Sequence, residues 1–318
     1  MPPPTSISAF DPRFLRPCIF PVMRRMGYGT AVSVNNGIAS GPHATDMVIS
    51  LSVFDADGHL IGTLDDIGRL APGAITKIDT RPLITQLGAP EDQDLLGVMH
   101  LVPVDLVGVA TTDIDTAVLM EHIRVSDDFI EFRQEPRGVI TGVAYQTGPL
   151  NDPRLSSTRT TVVQAPKVIV SEGVDTLFTL LNVSTSFDYA DPVTLDFWII
   201  LPDGTRVTRS QITVPAWTYR QISVTEVLEA DGTLQRVRDA GGLGLLIGYS
   251  KDGTVVPVSL TRNTASGGIA CDHTLPPVFY LSTWGGQKRL EANARLEQEL
   301  FDGDAFTSAK LATAGARS

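Results

Sequence analysis

The sequence predicts an all-β protein. Two tandem antiparallel β-sandwich domains, related by an internal duplication, are followed by a short C-terminal helix. Three observations carry this. First, the stretch from Gly29 to Gly62 aligns without a gap on the stretch from Asp175 to Thr208, and self-similarity at a fixed offset marks a repeated supersecondary unit. Second, Ile49, Leu51 and Val53 alternate with Ser50 and Ser52, and Leu195, Phe197 and Ile199 repeat the alternation. That is the period of a strand with one buried and one wet face. Third, Asp57-Gly58 and Asp203-Gly204 close both alternating runs at the same place, where glycine tolerates the positive φ of a tight hairpin.

The 318 residues suffice for about two domains at roughly 150 residues each. Residues 1–26 are proline-rich and read as an N-terminal arm. Its Phe10, Phe14, Leu15, Ile19, Phe20 and Val22 are too apolar to dangle, so it lies across its own sandwich or reaches a neighbour. The first unit spans 27–150. In it Asn36, Ile49, Leu51 and Val53 fall on Asn182, Leu195, Phe197 and Ile199 of the second unit. After a short length difference, Leu70 to Ile78 resembles Val214 to Ile222, with Pro72 and Pro215 breaking the chain before the next strand. The apolar run Leu96 to Pro103 matches Leu243 to Tyr249, and Gly138 to Tyr145 matches Gly253 to Leu260. Between these last two strands the first unit alone carries an acidic insertion, 113–135. There Val118 to Arg124 suits a short helix and Phe129 to Phe132 a strand.

Residues 151–167 are polar and proline-flanked, the signature of a linker, with an edge strand near Thr160 to Gln164. The second unit spans 168–284. In 285–318, Leu290, Ala294, Leu296 and Leu300 suit one short helix, and the rest is a small, polar tail.

The Asn36 and Asn182 loops, the turns Phe54-Asp-Ala-Asp-Gly58 and Leu201-Pro-Asp-Gly204, the pre-strand prolines and the strand Val255 to Leu260 together resemble the immunoglobulin- or fibronectin-like modules repeated in bacterial surface and secreted proteins. The resemblance covers Gly27 to Pro149 and Val168 to Leu281. It implies an immunoglobulin-like architecture and a role as stalk, spacer or binding face, and names no activity, because a fold does not fix a function.

Composition narrows the function classes. A formal net charge of −11 and only two short basic pieces, Arg24-Arg25 and Lys288-Arg289, argue against nucleic-acid binding. No apolar run approaches the ~20 residues of a membrane helix. The N-terminus lacks a charged start followed by an apolar core, which favours a cytoplasmic location. Cys18 and Cys271 lie far apart, too few and too scattered for a disulfide framework or a zinc site.

No catalytic constellation stands out. There is no Gly-x-Ser-x-Gly elbow, P-loop or dinucleotide-binding glycine motif. The five histidines, His43, His59, His100, His122 and His273, show no metal-ligand spacing. Asp55, Asp57 and Gly58 resemble the start of a calcium loop, but His-Leu-Ile-Gly follows, which is strand sequence. No metal or cofactor is implied.

The aromatics are more telling. Alternation puts Trp198 on the outer face of its strand, where the first unit has Ser52. Trp217 and Tyr219 lie near the next strand, and Trp284 follows the last one. Linker or terminal arms covering these rings is the plainer arrangement; an aromatic interaction surface is the sharper one. The favoured reading is a non-enzymatic structural or protein-interaction protein, with a protein partner or self-association. The alternatives are a carbohydrate or small-ligand module using Trp198, Trp217, Tyr219 and Trp284, and an enzyme with its site at the inter-domain cleft or beside the insertion, built from His122, Asp127, Asp128 and His273.

Overall fold

A computed structural model describes residues 17–107, 128–134, 139–146, 161–184, 188–250, 253, 255–273, 294–295 and 298. Four antiparallel four-stranded sheets make up the described fold, so the protein is all-β. The first sandwich contains β1 (Cys18–Val22), β2 (Tyr28–Asn35), β3 (Met47–Phe54), β4 (Leu60–Leu70), β5 (Ile75–Asp79), β6 (Leu95–Pro103), β7 (Asp128–Gln134) and β8 (Val139–Gln146). The second contains β9 (Thr161–Ile169), β10 (Val174–Asn182), β11 (Val193–Ile200), β12 (Arg206–Val214), β13 (Thr218–Ser223), β14 (Leu243–Ser250), β15 (Val256–Asn263) and β16 (Ile269–His273).

The sheet orders are β1-β6-β3-β4 and β5-β2-β7-β8 in the first sandwich, and β9-β14-β11-β12 and β13-β10-β15-β16 in the second. They correspond strand for strand, and so does the register. Tyr28 faces Gln134 and Ala31 faces Glu131; their counterparts Val174 and Leu177 face Asn263 and Leu260. Even an irregularity recurs, between Val53 and Phe54 in β3 and between Ile199 and Ile200 in β11.

The chain divides into two compact units. One gathers 1–147 with Val183–Ala190 and Pro215–Tyr219; the other gathers 148–182, Asp191–Val214 and 220–318. The core of the second sandwich lies between its sheets, where Phe178 and Leu180 of β10 meet Leu195, Phe197 and Ile199 of β11. Removing each such side chain from water stabilises the fold by about 1.5–3 kcal/mol.

Several details were not legible in the sequence. Cys18–Val22, within the stretch read as an arm, is an edge strand paired with β6, where Phe20 packs over Gly97 so closely that a Cβ there would approach to 2.3 Å. The edge strand expected near Thr160 to Gln164 is longer than the sequence suggests: Thr161–Ile169 runs from the linker into the second unit and is the equivalent edge strand, paired with β14. Asp128–Gln134 pairs with β2 as β15 pairs with β10, so the counterpart of β15 is β7 and not Gly138 to Tyr145. The length difference after the hairpins is absorbed in β4. Leu51 pairs with Leu64 and Ile49 with Gly68, whereas Phe197 and Leu195 pair with Ser210 and Ile212 without interruption.

Helices α1 (Thr80–Gln86), α2 (Val224–Ala230) and α3 (Leu234–Asp239) were also unforeseen. Ser223-Val-Thr-Glu226 carried the signal for α2: the Ser223 hydroxyl accepts from the Glu226 amide at 3.1 Å, the N-cap half of a capping box. Asp79 caps α1 in the same way by accepting from the Arg81 amide at 3.1 Å. The helix expected within 113–135 lies outside the described residues. So does the C-terminal helix, apart from Ala294, Arg295 and Gln298, which have helical backbone. Among the described residues, no helix is long and apolar enough to cross a membrane.

Candidate interaction surface

Trp198 is the sequence candidate that reaches a surface. On β11 it pairs with Arg209 of β12 and Ile247 of β14. Directly paired residues share a face of the sheet. Two residues along β11, Ile200 pairs with Leu245, and at the far strand Leu243 pairs with Ile169 of β9. The outer face therefore carries an apolar stripe running from Trp198 through Ile247 and Leu245 to Leu243. Leu245 is 42% exposed and Leu243 is 51% exposed. Arg206 places its guanidinium carbon 5.8 Å from the centre of the Trp198 ring, within cation–π reach. Arg209 approaches Asp196 at 4.0 Å, a weak exposed pair. The indole Nε1 of Trp198 is buried without a hydrogen-bond partner among the described residues.

The equivalent face of the first sandwich is closed. Ser52, in the place of Trp198, is buried and sits 2.9 Å from the Thr63 hydroxyl. Val98 and Leu96, which pair with Ser52 and Phe54, are buried too. So are Ser50 and its pair His100. Burial lowers the His100 pKa to about 4, because the apolar surroundings disfavour the imidazolium.

The other aromatic candidates do not join Trp198. Trp217 is interior, 4% exposed, with its ring stacked on Phe54 at 4.7 Å and 11° within the first compact unit. Its Nε1 donates to the Tyr189 carbonyl at 2.9 Å, so neither its face nor its polar edge is presented to a ligand. Tyr219 is half-buried on β13. Trp284 lies outside the described residues. His122 and Asp127 are also outside them, while Asp128 opens β7 and His273 closes β16.

Two carboxylates are held in place by structural hydrogen bonds. Asp55, Asp57 and His59 bring one ligand atom each within 4.8 Å of one another. Asp55 Oδ1, however, accepts from the amides of Asp57 and His59, both at 2.9 Å, which is the hydrogen bonding of a hairpin turn. Burial works to raise the Asp55 pKa, but these amides and the His59 ring outweigh it and hold the carboxyl below its ordinary value. Asp175, which is buried, accepts from the Ser223 hydroxyl at 2.6 Å, the Thr225 hydroxyl at 2.7 Å and the Thr225 amide at 3.0 Å, anchoring the start of α2. Cys18 and Cys271 are not joined by a disulfide, and burial pushes the Cys271 thiol up to about 12.

A cavity of about 490 Å³ opens in the second sandwich between β12, β13 and α2. Phe197, Ile212, Ile222 and Val227 supply its apolar lining, and Glu226 and Asp231 are its acidic members.

No family model matches the chain, and no curated protein matches it in sequence. Among solved structures, a glycosyl hydrolase family 2 member from Bacteroides cellulosilyticus shares 10% identity over 82% of this chain and 27% of its own, with a TM-score of 0.18. A Bacteroides uniformis beta-glucuronidase shares 11% identity over 80% of this chain and 25% of its own, with a TM-score of 0.15. The BSP domain of a biofilm associated protein shares 7% identity over 84% of this chain and 56% of its own, with a TM-score of 0.27. The chain thus spans about a quarter of the two hydrolases and just over half of the BSP-domain chain. These neighbours are β-rich, and likeness at this level carries no argument about activity.

Proposed function

We propose that this protein is a non-enzymatic structural or interaction protein, and that the outer face around Trp198 receives a protein partner, in the first instance a second copy. The Trp198-Ile247-Leu245-Leu243 stripe, half-buried at Trp198 and Ile247 and exposed at Leu245 and Leu243, is the observation that carries the reading. Contiguous apolar surface of this kind marks interaction sites, and an aromatic centre flanked by arginines is the composition that interface cores favour. The contrast with the buried Ser52 face supports it, since the same sheet position is closed in one sandwich and open in the other.

The matching strand orders, registers and recurrent irregularity support an origin by internal duplication, and they favour tandem immunoglobulin-like modules as the architecture. A carbohydrate platform is less favoured, because Trp217 is interior and Arg206 already stands against the Trp198 ring.

Light scattering on the full chain tests the reading. The chain should self-associate with rising concentration, and the Trp198→Ser/Leu243→Ser/Leu245→Ser variant should remain a monomer. A full chain that stays monomeric at high micromolar concentration overturns the self-association version.

A further inference from the structure

Beyond that face, the two sandwiches treat one strand edge differently. β4 and β12 are equivalent, and each ends its sheet. Where β12 has Gln211 alone, between the Phe197–Ser210 and Leu195–Ile212 pairs, β4 has Asp65-Asp66-Ile67 between Leu51–Leu64 and Ile49–Gly68. The extra residues bulge β4, and both aspartates are exposed. Bulges and charges are the devices by which sheet edges are kept from pairing with another chain. β12 has no acidic bulge: its one irregularity lies at its start, opposite Ile199 and Ile200, its charges are the basic Arg206 and Arg209, and from Thr208 to Val214 its register is unbroken with neither proline nor an acidic residue.

The two sides of β12 differ in chemistry. Toward the core side lies the 490 Å³ cavity, floored by Phe197, Ile212, Ile222 and Val227, with Arg209, Glu226 and Asp231 also lining it. On the outer side Arg206 and Arg209 are exposed. The irregularity between Ile199 and Ile200 brings these two arginines to one face, opposite Ile200 and Trp198.

We propose that the β12 edge is a strand-addition site for an extended segment of a partner polypeptide in which aliphatic and acidic residues alternate. Its main chain continues the sheet beyond β12. Its aliphatic side chains enter the cavity, and its carboxylates meet Arg206 and Arg209. Main-chain hydrogen bonds supply affinity in this mode, and the two-residue period of the added strand sorts its side chains between the two faces. Arg206 on the outer face and Arg209, which also borders the cavity, place the basic charge along the β12 edge where the carboxylates meet it.

The test uses the full chain and a short fluorescein-labelled peptide of alternating valine and glutamate, followed by anisotropy, with a valine–lysine peptide as control. Two variants accompany it: one in which Gln211 is replaced by Asp-Asp-Ile, transplanting the β4 bulge, and Arg206→Glu/Arg209→Glu, which leaves the strand length intact. The glutamate peptide should bind saturably, at least about tenfold tighter than the lysine peptide, and each variant should weaken it by at least about tenfold. Equal binding of the two peptides, or unchanged binding by the Arg206→Glu/Arg209→Glu variant, overturns the proposal. So does a full-chain dimer that the bulge variant converts to monomer, because the edge is then occupied by a second copy. A dimer that responds only to the Trp198 stripe substitutions concerns the outer face and leaves the peptide result to decide the edge.

Discussion

The Asn36 side chain donates through Nδ2 to the Leu70 carbonyl at 3.1 Å, bridging the end of β2 to the end of β4 in the opposite sheet. A second bond reaches the Thr45 carbonyl at 2.8 Å, in the approach to β3. Asn182 repeats both, to Val214 at 2.9 Å and to Asp191 at 3.0 Å. Both asparagines are buried, so each amide satisfies two carbonyls that water cannot easily reach.

Removing either amide should therefore destabilise its sandwich. Asn36→Ala and Asn182→Ala are each expected to cost about 2–4 kcal/mol, because two carbonyls lose their donor at once. Urea unfolding measures the total, and hydrogen exchange locates the loss at the end of β4 or β12. A change below about 0.5 kcal/mol, the range of an ordinary surface substitution, would contradict a stabilising role for these bridging amides.

Trp217 has φ of 58°, the one non-glycine residue of positive φ among those described, and its aligned counterpart Gly73 has φ of 72°. The left-handed backbone costs a side-chain-bearing residue roughly 1–2 kcal/mol. Stacking on Phe54 and the bond to Tyr189 offset that cost here. Trp217→Ala keeps the strain and loses the ring, and should destabilise by about 3–5 kcal/mol. Trp217→Gly loses the ring and relieves the strain, so it should retain about 1 kcal/mol more than the alanine variant, in thermal or urea melts. Equal losses in the two would show that the backbone at 217 is not strained.

His100 sets a pH dependence. Its folded pKa of about 4 lies below the ordinary 6.5, so the unfolded chain binds the proton first as pH falls. The stability it contributes is complete above pH 6.5, declines as pH drops from 6.5 toward 4, and is lost below. The full effect is of order 3 kcal/mol from the size of the shift. His100→Gln should flatten this part of the stability–pH profile. A His100→Gln profile parallel to that of the parent between pH 6.5 and 4 would assign the slope to other groups.

The legible parts of the fold were those written in local chemistry. The alternation at Ile49-Leu51-Val53 and Leu195-Phe197-Ile199 fixed strands and faces, because side chains of a strand alternate with period two. The glycines of the Asp-Gly turns, Gly58 and Gly204, both take φ of 86°, as a tight hairpin requires. The illegible parts were pairings between distant segments. Cys18–Val22 is a short run in a proline-rich stretch that pairs with the distant β6, and the edge strand legible near Thr160 to Gln164 reaches Ile169 along β14. The counterpart of β15 was misjudged because Gly138 to Tyr145 matches Gly253 to Leu260 in composition, whereas sheet position follows from pairing with β2 and β10.

The candidate surface divides in the same way. That Trp198 occupies the outer face in place of Ser52 follows from alternation and alignment alone. That this face is open while the Ser52 face is closed does not, because exposure depends on what packs against a sheet. Trp217 shows the converse: adjacent strand and loop residues offered it as a binding ring, and Phe54, far off in the chain, takes its face. Sequence by itself determined the strand pattern, the hairpin turns and the placement of Trp198. Only tertiary structure decided which aromatic stays at the surface, how the β4 bulge separates two otherwise equivalent edges, and where a cavity lies beside the unblocked one, since each of these rests on contacts between residues that sequence spacing does not bring together.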